Sequence, residues 1–335
     1  MASDVRVGLA GATGALGGEI LRVLDRAPWR PEHVVALASP RTTVSHVEYG
    51  DERLPVDDLS DQAMDDLDVL ILAVPSDVAR EAGERAIAEG TPVVDCSGVF
   101  ADDGDVPLVV PWINPEGLGD LARPVVSLPR PATTLLASAL GPLRRAGVEG
   151  PVDATVLVPA SIRGREGVEE LSRQVVALFN SSTPPRRVFP EGLAFDLLPQ
   201  LGPADDDGRT ADERRVGAEL ERLLGASGPY DVQMVGVPVF SGFSAHVVLR
   251  SQRRAPPELV TQILADGGVR LSDDPAPRYV PRPRRVEGKP FAHAGRIRQG
   301  AGGELHLWLS MDNLATSAAV AVSLAGVFVR GLRGA

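Results

Sequence analysis

The segment "VRVGLAGATGALGGEI" (5–20) limits the fold of this chain more than any other stretch. An apolar run leads into Gly11, Gly14 and Gly17, and Leu16, Ile20 and Leu24 fall on one helical face. Glycines at those places permit a tight turn and a close approach of backbone to a bound group. A strand that ends in such a turn and opens a helix is the first half of a βαβ unit. Its helix N-terminus is free to receive a pyrophosphate. Gly11, Thr13, Gly14, Ala15 and Gly17 are therefore the candidate cofactor-cradling residues. The plainer alternative is a βα turn that binds nothing.

The first third of the chain continues in the same alternation. "VVALAS" (34–39), "DVLILAV" (68–74) and "TPVVDCS" (91–97) read as strands, and 14–26 and 77–89 as helices. Continuous apolar strands separated by helices imply a parallel sheet covered on both faces. Beyond residue 130 the strands lengthen: "ATVLVPAS" (154–161), "YDVQMVGVPVF" (230–240), "SAHVVLR" (244–250) and "ELHLWLS" (304–310). Helices at 165–180 and 210–225 lie among them, and a Pro-rich loop covers 273–285. The fold class is α/β: a Rossmann-type parallel-sheet nucleotide domain, then an α+β domain with a mixed or antiparallel sheet and helices on one face. The domains are expected at 1–129, with the C-terminal helix 313–335 returning to it, and at 130–312.

The end of the second strand tests the cofactor. NAD-specific sites usually carry an acid there, for the ribose hydroxyls. This chain has "ALASPRTT", with Ser39 and Arg41 and no acid, which suits the extra phosphate of NADP; a solvated loop arginine is the alternative. A short-chain dehydrogenase needs a tyrosine followed four residues later by lysine. Tyr49, Tyr230 and Tyr279 have none, because the single lysine is Lys289.

Charge and composition narrow the partners. With 34 basic and 45 acidic residues the formal net charge is −11, and no basic stripe offers itself to nucleic acid or an anionic membrane. The run "LATSAAVAVSLAGVFV" near the C-terminus reads as too short for a membrane span. The N-terminus leads straight into a strand without a signal-peptide pattern, so a cytoplasmic location is expected. One cysteine, Cys96, excludes a disulfide framework and reads as a buried structural thiol. His33, His46, His246, His293 and His306 show no metal-ligand spacing, so no metal site is expected and they read as surface or partnered residues.

Four segments in order, "GLAGATGALGGE", "DCSGVFADDGDVPLVVPWINPE", "EGLAFDLLPQLG" and "MDNLATSAAVAV", together with "GRIR" at 295–298, resemble aspartate-β-semialdehyde dehydrogenase along nearly the whole chain. The resemblance implies an NADP-binding domain and a dimer-forming substrate domain. It also implies chemistry in which a thiolate attacks an aldehyde, hydride passes to NADP, and phosphate releases the acyl group.

Carried over residue by residue, that chemistry does not arrive. The family's nucleophilic cysteine falls at Pro131 in "PRPAT", and its acid–base histidine at Phe243 in "SGFS". The glutamine that positions the thioester falls at Val158, the arginine for the substrate carboxylate at Gly236, and a phosphate-holding arginine at Ala101. No catalytic residue is therefore assigned. The cysteine-less, Usg-type paralogues are the branch it resembles most. Ser97 and Asn313 match nicotinamide-side contacts, whereas "AVPSDV" and "NLATS" depart from the family on that same side. Arg215 replaces a phosphate-contacting lysine and Glu219 keeps its acid partner; the pair reads as a candidate anion site or as a solvated ion pair on a helix face. Thr133 and Thr134 lack the base a threonine nucleophile needs and are read as helix caps.

Three functions fit: a non-catalytic homodimer that keeps NADP, an active NADP-dependent semialdehyde dehydrogenase of amino-acid biosynthesis, and a structural dimer without nucleotide. The small-molecule ligand is not named by the sequence.

Overall fold

Short apolar runs punctuated by glycine and proline build the sheets. The structure is a computed structural model and describes residues 3–39, 42–59, 61–119, 123–225, 228–271 and 280–334. The chain divides into two compact units, Met1–Pro129 with Ser317–Ala335, and Arg130–Thr316.

The first unit opens with β1 (Ser3–Ala10), α1 (Ala15–Asp25) and β2 (Pro31–Ala38), followed by the hairpin β3 (His46–Tyr49) and β4 (Glu52–Asp58). The short helix α2 (Asp61–Met64), β5 (Val69–Leu72), α3 (Ser76–Ala88), β6 (Val93–Asp95) and β7 (Val125–Ser127) complete it. The sheet order is β3-β4-β2-β1-β5-β6-β7, parallel except for the β3–β4 pair. All four residues of β5 are buried, which is why that run is apolar without alternation. Leu37, Leu70, Leu72, Val93, Phe100 and Val125 meet in one core cluster. The strand expected at 91–97 is shorter because the chain bends away after Asp95, whose side chain organises the following turn. The β3–β4 hairpin is not visible in the sequence pattern, since its charged, half-exposed residues carry no apolar stripe.

The second unit contains α4 (Pro131–Arg145), β8 (Val152–Val158), α5 (Gly164–Phe179), α6 (Ala211–Leu224), β9 (Tyr230–Gly236) and β10 (Phe243–Leu249). After them come α7 (Pro257–Asp266), β11 (Arg270–Leu271), α8 (Pro283–Val286), β12 (His293–Gln299) and β13 (Leu305–Met311). The sheet order is β11-β12-β13-β10-β8-β9, with β11–β12 and β8–β9 parallel and the rest antiparallel. Helices α4, α6 and α7 pack on these strands. Along β8 the burial alternates: Val152, Ala154, Val156 and Val158 are buried, and Asp153, Thr155 and Leu157 stand half-exposed.

Three expectations are corrected here. The strand placed at 154–161 stops at Val158, because Pro159 starts a 3-10 turn over Ala160–Arg163. The strand placed at 230–240 stops at Gly236, where Pro238 cannot extend a ladder. In the Pro-rich segment Pro283–Val286 is one helical turn, and residues 272–279 lie outside the described residues.

The last helix, α9 (Asn313–Gly334), starts in the second unit and from Ser317 belongs to the first. By length and composition Asn313–Gly331 could cross a membrane, so the reading of this segment as too short is also corrected. It is a core helix: Ala318, Ala321, Leu324 and Ala325 are fully buried, and Gly326 lies against the Trp29 ring with no room for a Cβ. The fold is a Rossmann-like α/β unit, an α+β unit and a C-terminal helix that joins the first.

Candidate functional site

In the first unit the glycine loop is built for close approach. Gly11 has φ +88°, and a Cβ there would meet the Ala73 carbonyl oxygen at 2.2 Å. A Cβ on Gly17 would meet the Gly11 oxygen at 2.1 Å. The Gly11 and Ala12 amides both donate to the Leu37 carbonyl, at 2.8 and 3.1 Å, which pins the loop to β2. Gly14 is the N-cap of α1, and the first turn of α1 contains no acidic side chain to compete with an anion. Thr13, Gly14 and Ala15 remain half-exposed at the mouth of this loop. Ser39 is exposed just beyond β2, and Arg41 lies outside the described residues.

Ser97 sits in a turn that Asp95 holds together. The buried Asp95 carboxylate accepts from the Ser97 amide (2.8 Å) and hydroxyl (2.6 Å), the Gly98 amide (3.2 Å), the Phe100 amide (3.0 Å) and the Ser127 hydroxyl (2.7 Å). Sequence reading marked Ser97 and passed over Asp95, although the acid stands two residues earlier in the same motif. Next to it, burial and the Asp95 charge push the Cys96 thiol well above its ordinary range. A thiol so raised is a poor nucleophile near neutrality.

In the second unit the start of α4 carries a proline and an ion pair, and the neighbouring ends of β8, β9 and β10 carry Val158, Gly236 and Phe243. Pro131 takes the first helical position, where its missing N–H costs nothing. Phe243 is fully buried and Val158 is 1% exposed. Gly236 exchanges both backbone hydrogen bonds with Leu198, at 2.9 and 2.8 Å. A Cβ on Gly236 would lie 2.9 Å from Leu201 and 3.2 Å from Leu198.

Glu219 is not on a solvated helix face; it is 4% exposed. Its carboxylate accepts from the Arg130 backbone N–H (2.9 Å), the Arg130 guanidinium and the Thr133 hydroxyl. Asp212 lies 3.7 Å from the same guanidinium. Arg215 is exposed, whereas Glu219 is not solvated but turned inward to the start of α4. The capping reading of Thr133 and Thr134 is corrected too. Arg130 is the N-cap without a side-chain cap bond, and Glu219, 89 residues along the chain, accepts the N-cap amide instead. Only a tertiary contact reveals that cap.

Asn313 opens α9 and is buried. Its amide oxygen accepts from the Gly242 amide (3.1 Å) and the Ser161 hydroxyl (3.3 Å). Its neighbour Asp312 caps the helix by accepting from Leu314 and Ala315 amides at 3.0 and 3.1 Å. The glycine loop, Ser39 and Ser97 belong to the first unit; in the second, Glu219 lies at the start of α4, where Pro131 stands, and Asn313 lies beside Phe243 through the Gly242 amide.

The comparisons fit this geometry. The pattern of the semialdehyde dehydrogenase NAD-binding domain matches residues 6–121, and that of the semialdehyde dehydrogenase dimerisation domain matches 140–316. The aspartate-semialdehyde dehydrogenase of Rickettsia conorii is 29% identical over 96% of each chain. A USG-1 protein homolog of Pseudomonas aeruginosa is 31% identical over 97% of this chain and 98% of its own. The solved aspartate semialdehyde dehydrogenase II of Vibrio cholerae, complexed with ASA, superposes with a TM-score of 0.92 at 26% identity, over 98% of this chain and 99% of that one. On matched domains, full-length relatives and a shared fold, this chain belongs to the semialdehyde dehydrogenase family, beside both aspartate-semialdehyde dehydrogenases and USG-1 homologues.

Proposed function

We propose that this chain is a non-catalytic member of its family: a homodimer that binds NADP and performs no aldehyde oxidation. The observation that carries the reading is the side-chain chemistry at positions 131, 158, 236 and 243. A proline, a buried valine, a glycine backed by leucines and a fully buried phenylalanine stand at the positions the family resemblance assigns to nucleophile, thioester partner, carboxylate anchor and acid–base. In the chemistry the family resemblance implies, hydride leaves a covalent adduct of the aldehyde with a thiol, and none of these side chains can form one. Cys96 belongs to the first unit's Asp95 turn and is held protonated by burial, so it is no substitute.

The residues of the first unit fit a dinucleotide. A loop in which Gly11 and Gly17 have no space for a Cβ brings backbone N–H groups close to a pyrophosphate at α1. Gly11, Thr13, Gly14, Ala15 and Gly17 hold the phosphates in this reading, Ser39 and Arg41 the adenosine 2′-phosphate, and Ser97 the nicotinamide side. When bound, NADP would supply a hydride acceptor. The nucleotide domain comprises 1–129 with 313–335, and 130–312 forms the dimer. Arg215 remains a candidate anion contact at the surface. A cytoplasmic location agrees with the lone free thiol.

The test is an assay of phosphate-dependent NADP reduction with aspartate semialdehyde. The expected rate equals that of a heat-killed control, for the unmodified protein and for Pro131→Cys, because nucleophile, base and anchor act as a unit. Turnover above the control by the unmodified protein overturns the reading in favour of an active NADP-dependent dehydrogenase.

Cofactor choice gives a second expected outcome. A charge-assisted contact of about 1.5–3 kcal/mol from Arg41 favours NADP over NAD by about one to two decades in affinity. Arg41→Ala removes that preference and leaves weak NAD binding in place. Equal calorimetric affinities for the two cofactors in the unmodified protein refute the role of Arg41. Binding of neither identifies a structural dimer without nucleotide.

A further inference from the structure

The net charge of −11 hides one local reversal. Residues 282–298 carry six basic side chains and a single acid, Glu287. The first half of this stretch makes a patch in the second unit together with Arg270 of β11. Arg282, Arg284 and Arg285 stand exposed on and beside the turn α8. Lys289 Nζ donates to the Arg285 carbonyl at 2.8 Å, which draws the lysine onto the same turn. Arg270 lies over the Phe291 ring at 5.2 Å. The charges of Lys289 and Arg270 both reach His293, the residue that faces Arg270 across the β11–β12 pair.

The turn is held from beneath. Val286 is fully buried, Trp308 Nε1 donates to the Pro281 carbonyl at 2.8 Å, and the Gly288 amide donates to the Asp312 carboxylate at 2.7 Å. A Cβ on Gly242 would lie 3.0 Å from Pro283. The backbone is therefore fixed while its long cationic side chains face solvent. Among the described residues no ion pair joins Arg270, Arg282, Arg284 or Lys289 to an acid. Elsewhere exposed arginines are matched: Arg22 by Glu19, Arg173 by Glu169, and Arg214 by Asp205 and Asp207. Asp312, on which the turn rests, is 6% exposed and spends its carboxylate on the Gly288, Leu314 and Ala315 amides. Like charges gathered on a fixed backbone repel one another, and an anion laid across them removes that repulsion.

We propose that this face docks a short acidic segment of a protein partner, its carboxylates on the arginines and an apolar side chain on Phe291. A guanidinium presents a rigid fork of donors that matches a carboxylate. Phe291 and Leu271 are 39% and 37% exposed beside the cations, so an apolar spot adjoins a basic rim, the plan of a recognition patch. The rest of the chain decides the length of the partner. Outside the patch the protein is strongly acidic, and a nucleic acid running beyond the turn meets like charge. A short segment ends before it does. The fixed backbone lowers the ordering cost of binding, which a mobile basic tail would have to meet in full. This inference stands apart from the nucleotide and dimer readings and goes beyond both.

Fluorescence anisotropy on the full-length protein tests it. The probe is a labelled peptide of about twelve residues, all Asp and Glu except for two Phe. Saturable binding is expected at about 50 mM salt, weakened about ten-fold or more at about 300 mM. Arg284→Glu combined with Arg285→Glu is expected to weaken it about ten-fold or more. Phe291→Ser is expected to weaken it about three-fold. Arg165→Glu combined with Arg173→Glu on α5 changes the net charge equally and is expected to stay within about two-fold of the unmodified protein. Circular dichroism establishes that each variant is folded.

Absence of saturable binding by the unmodified protein overturns the docking face. Undiminished binding in the folded Arg284/Arg285 variant, or equal weakening by the α5 pair, overturns its placement at α8. Unchanged binding in Phe291→Ser overturns the apolar contact. A single-stranded DNA of about twelve nucleotides that binds more tightly than the peptide overturns the choice of an acidic protein segment.

Discussion

Asp95→Ala lowers the unfolding free energy by about 3–5 kcal/mol, a large share of the whole stability of an ordinary domain. The reason is the number of donors that one buried carboxylate serves. Three backbone amides (Ser97, Gly98 and Phe100) and two hydroxyls (Ser97 and Ser127) converge on it at 2.6–3.2 Å. Alanine leaves the amides at the end of β6 without acceptors, and each orphaned buried donor costs roughly 1–3 kcal/mol. Phe100 is drawn into the damage. Its ring is fully buried, packs so closely on Gly83 that a Cβ there would lie 2.6 Å from it, and lies under the Arg80 guanidinium at 4.4 Å. Asp95→Asn keeps the volume but turns one acceptor into a donor that faces other donors, for an expected loss of about 2–3 kcal/mol. Urea unfolding followed by fluorescence and circular dichroism measures both. A loss under about 1 kcal/mol for Asp95→Ala means that the turn is held by its backbone alone.

Glu219→Ala destabilises by about 2–3 kcal/mol, and the value separates two pictures of this side chain. A solvated helix-face ion pair is worth about 0–1 kcal/mol. A buried carboxylate that accepts the N-cap amide of α4, the Arg130 guanidinium and the Thr133 hydroxyl is worth more, because its removal leaves three donors behind. The expected loss stays below that of a fully buried pair, since the Arg130 side chain is 21% exposed and keeps Asp212 at 3.7 Å. Thr133→Val removes a single donor and costs about 1 kcal/mol. Thermal and urea midpoints for the two variants provide the comparison. A Glu219→Ala loss below about 0.5 kcal/mol restores the surface-pair picture.

The same residue shows where sequence reasoning stops. Pro131 announces the start of α4 because proline suits the first helical position, and the leucines at 135, 136, 140 and 143 announce its inner face. What satisfies the helix start lies on α6, and nothing in local spacing points there. Likewise β5 is legible as an uninterrupted apolar run, whereas β12, "HAGRIRQ", is polar on its half-exposed side and passes for a loop. The candidate site was legible where it depends on glycine and proline, in the Gly11–Gly17 loop and at Pro131. It was not legible where an acid acts on a distant backbone, as with Asp95 on Ser127 or Glu219 on Arg130.

The amino-acid sequence by itself determined the strand–glycine–helix opening, the change from a parallel α/β unit to a mixed sheet, and the side-chain chemistry present at 131, 158, 236 and 243. Those are properties of residue type and of spacing within about a dozen residues, which backbone sterics and hydrophobic periodicity translate directly into local structure. Only the tertiary structure decided that Leu198 and Leu201 fill the space around Gly236, that Glu219 turns inward to α4, and that His246 and His306 share a hydrogen bond. Each of these pairs residues far apart in the chain, and its partner is fixed by strand register and helix packing, which exist only once the sheets have formed.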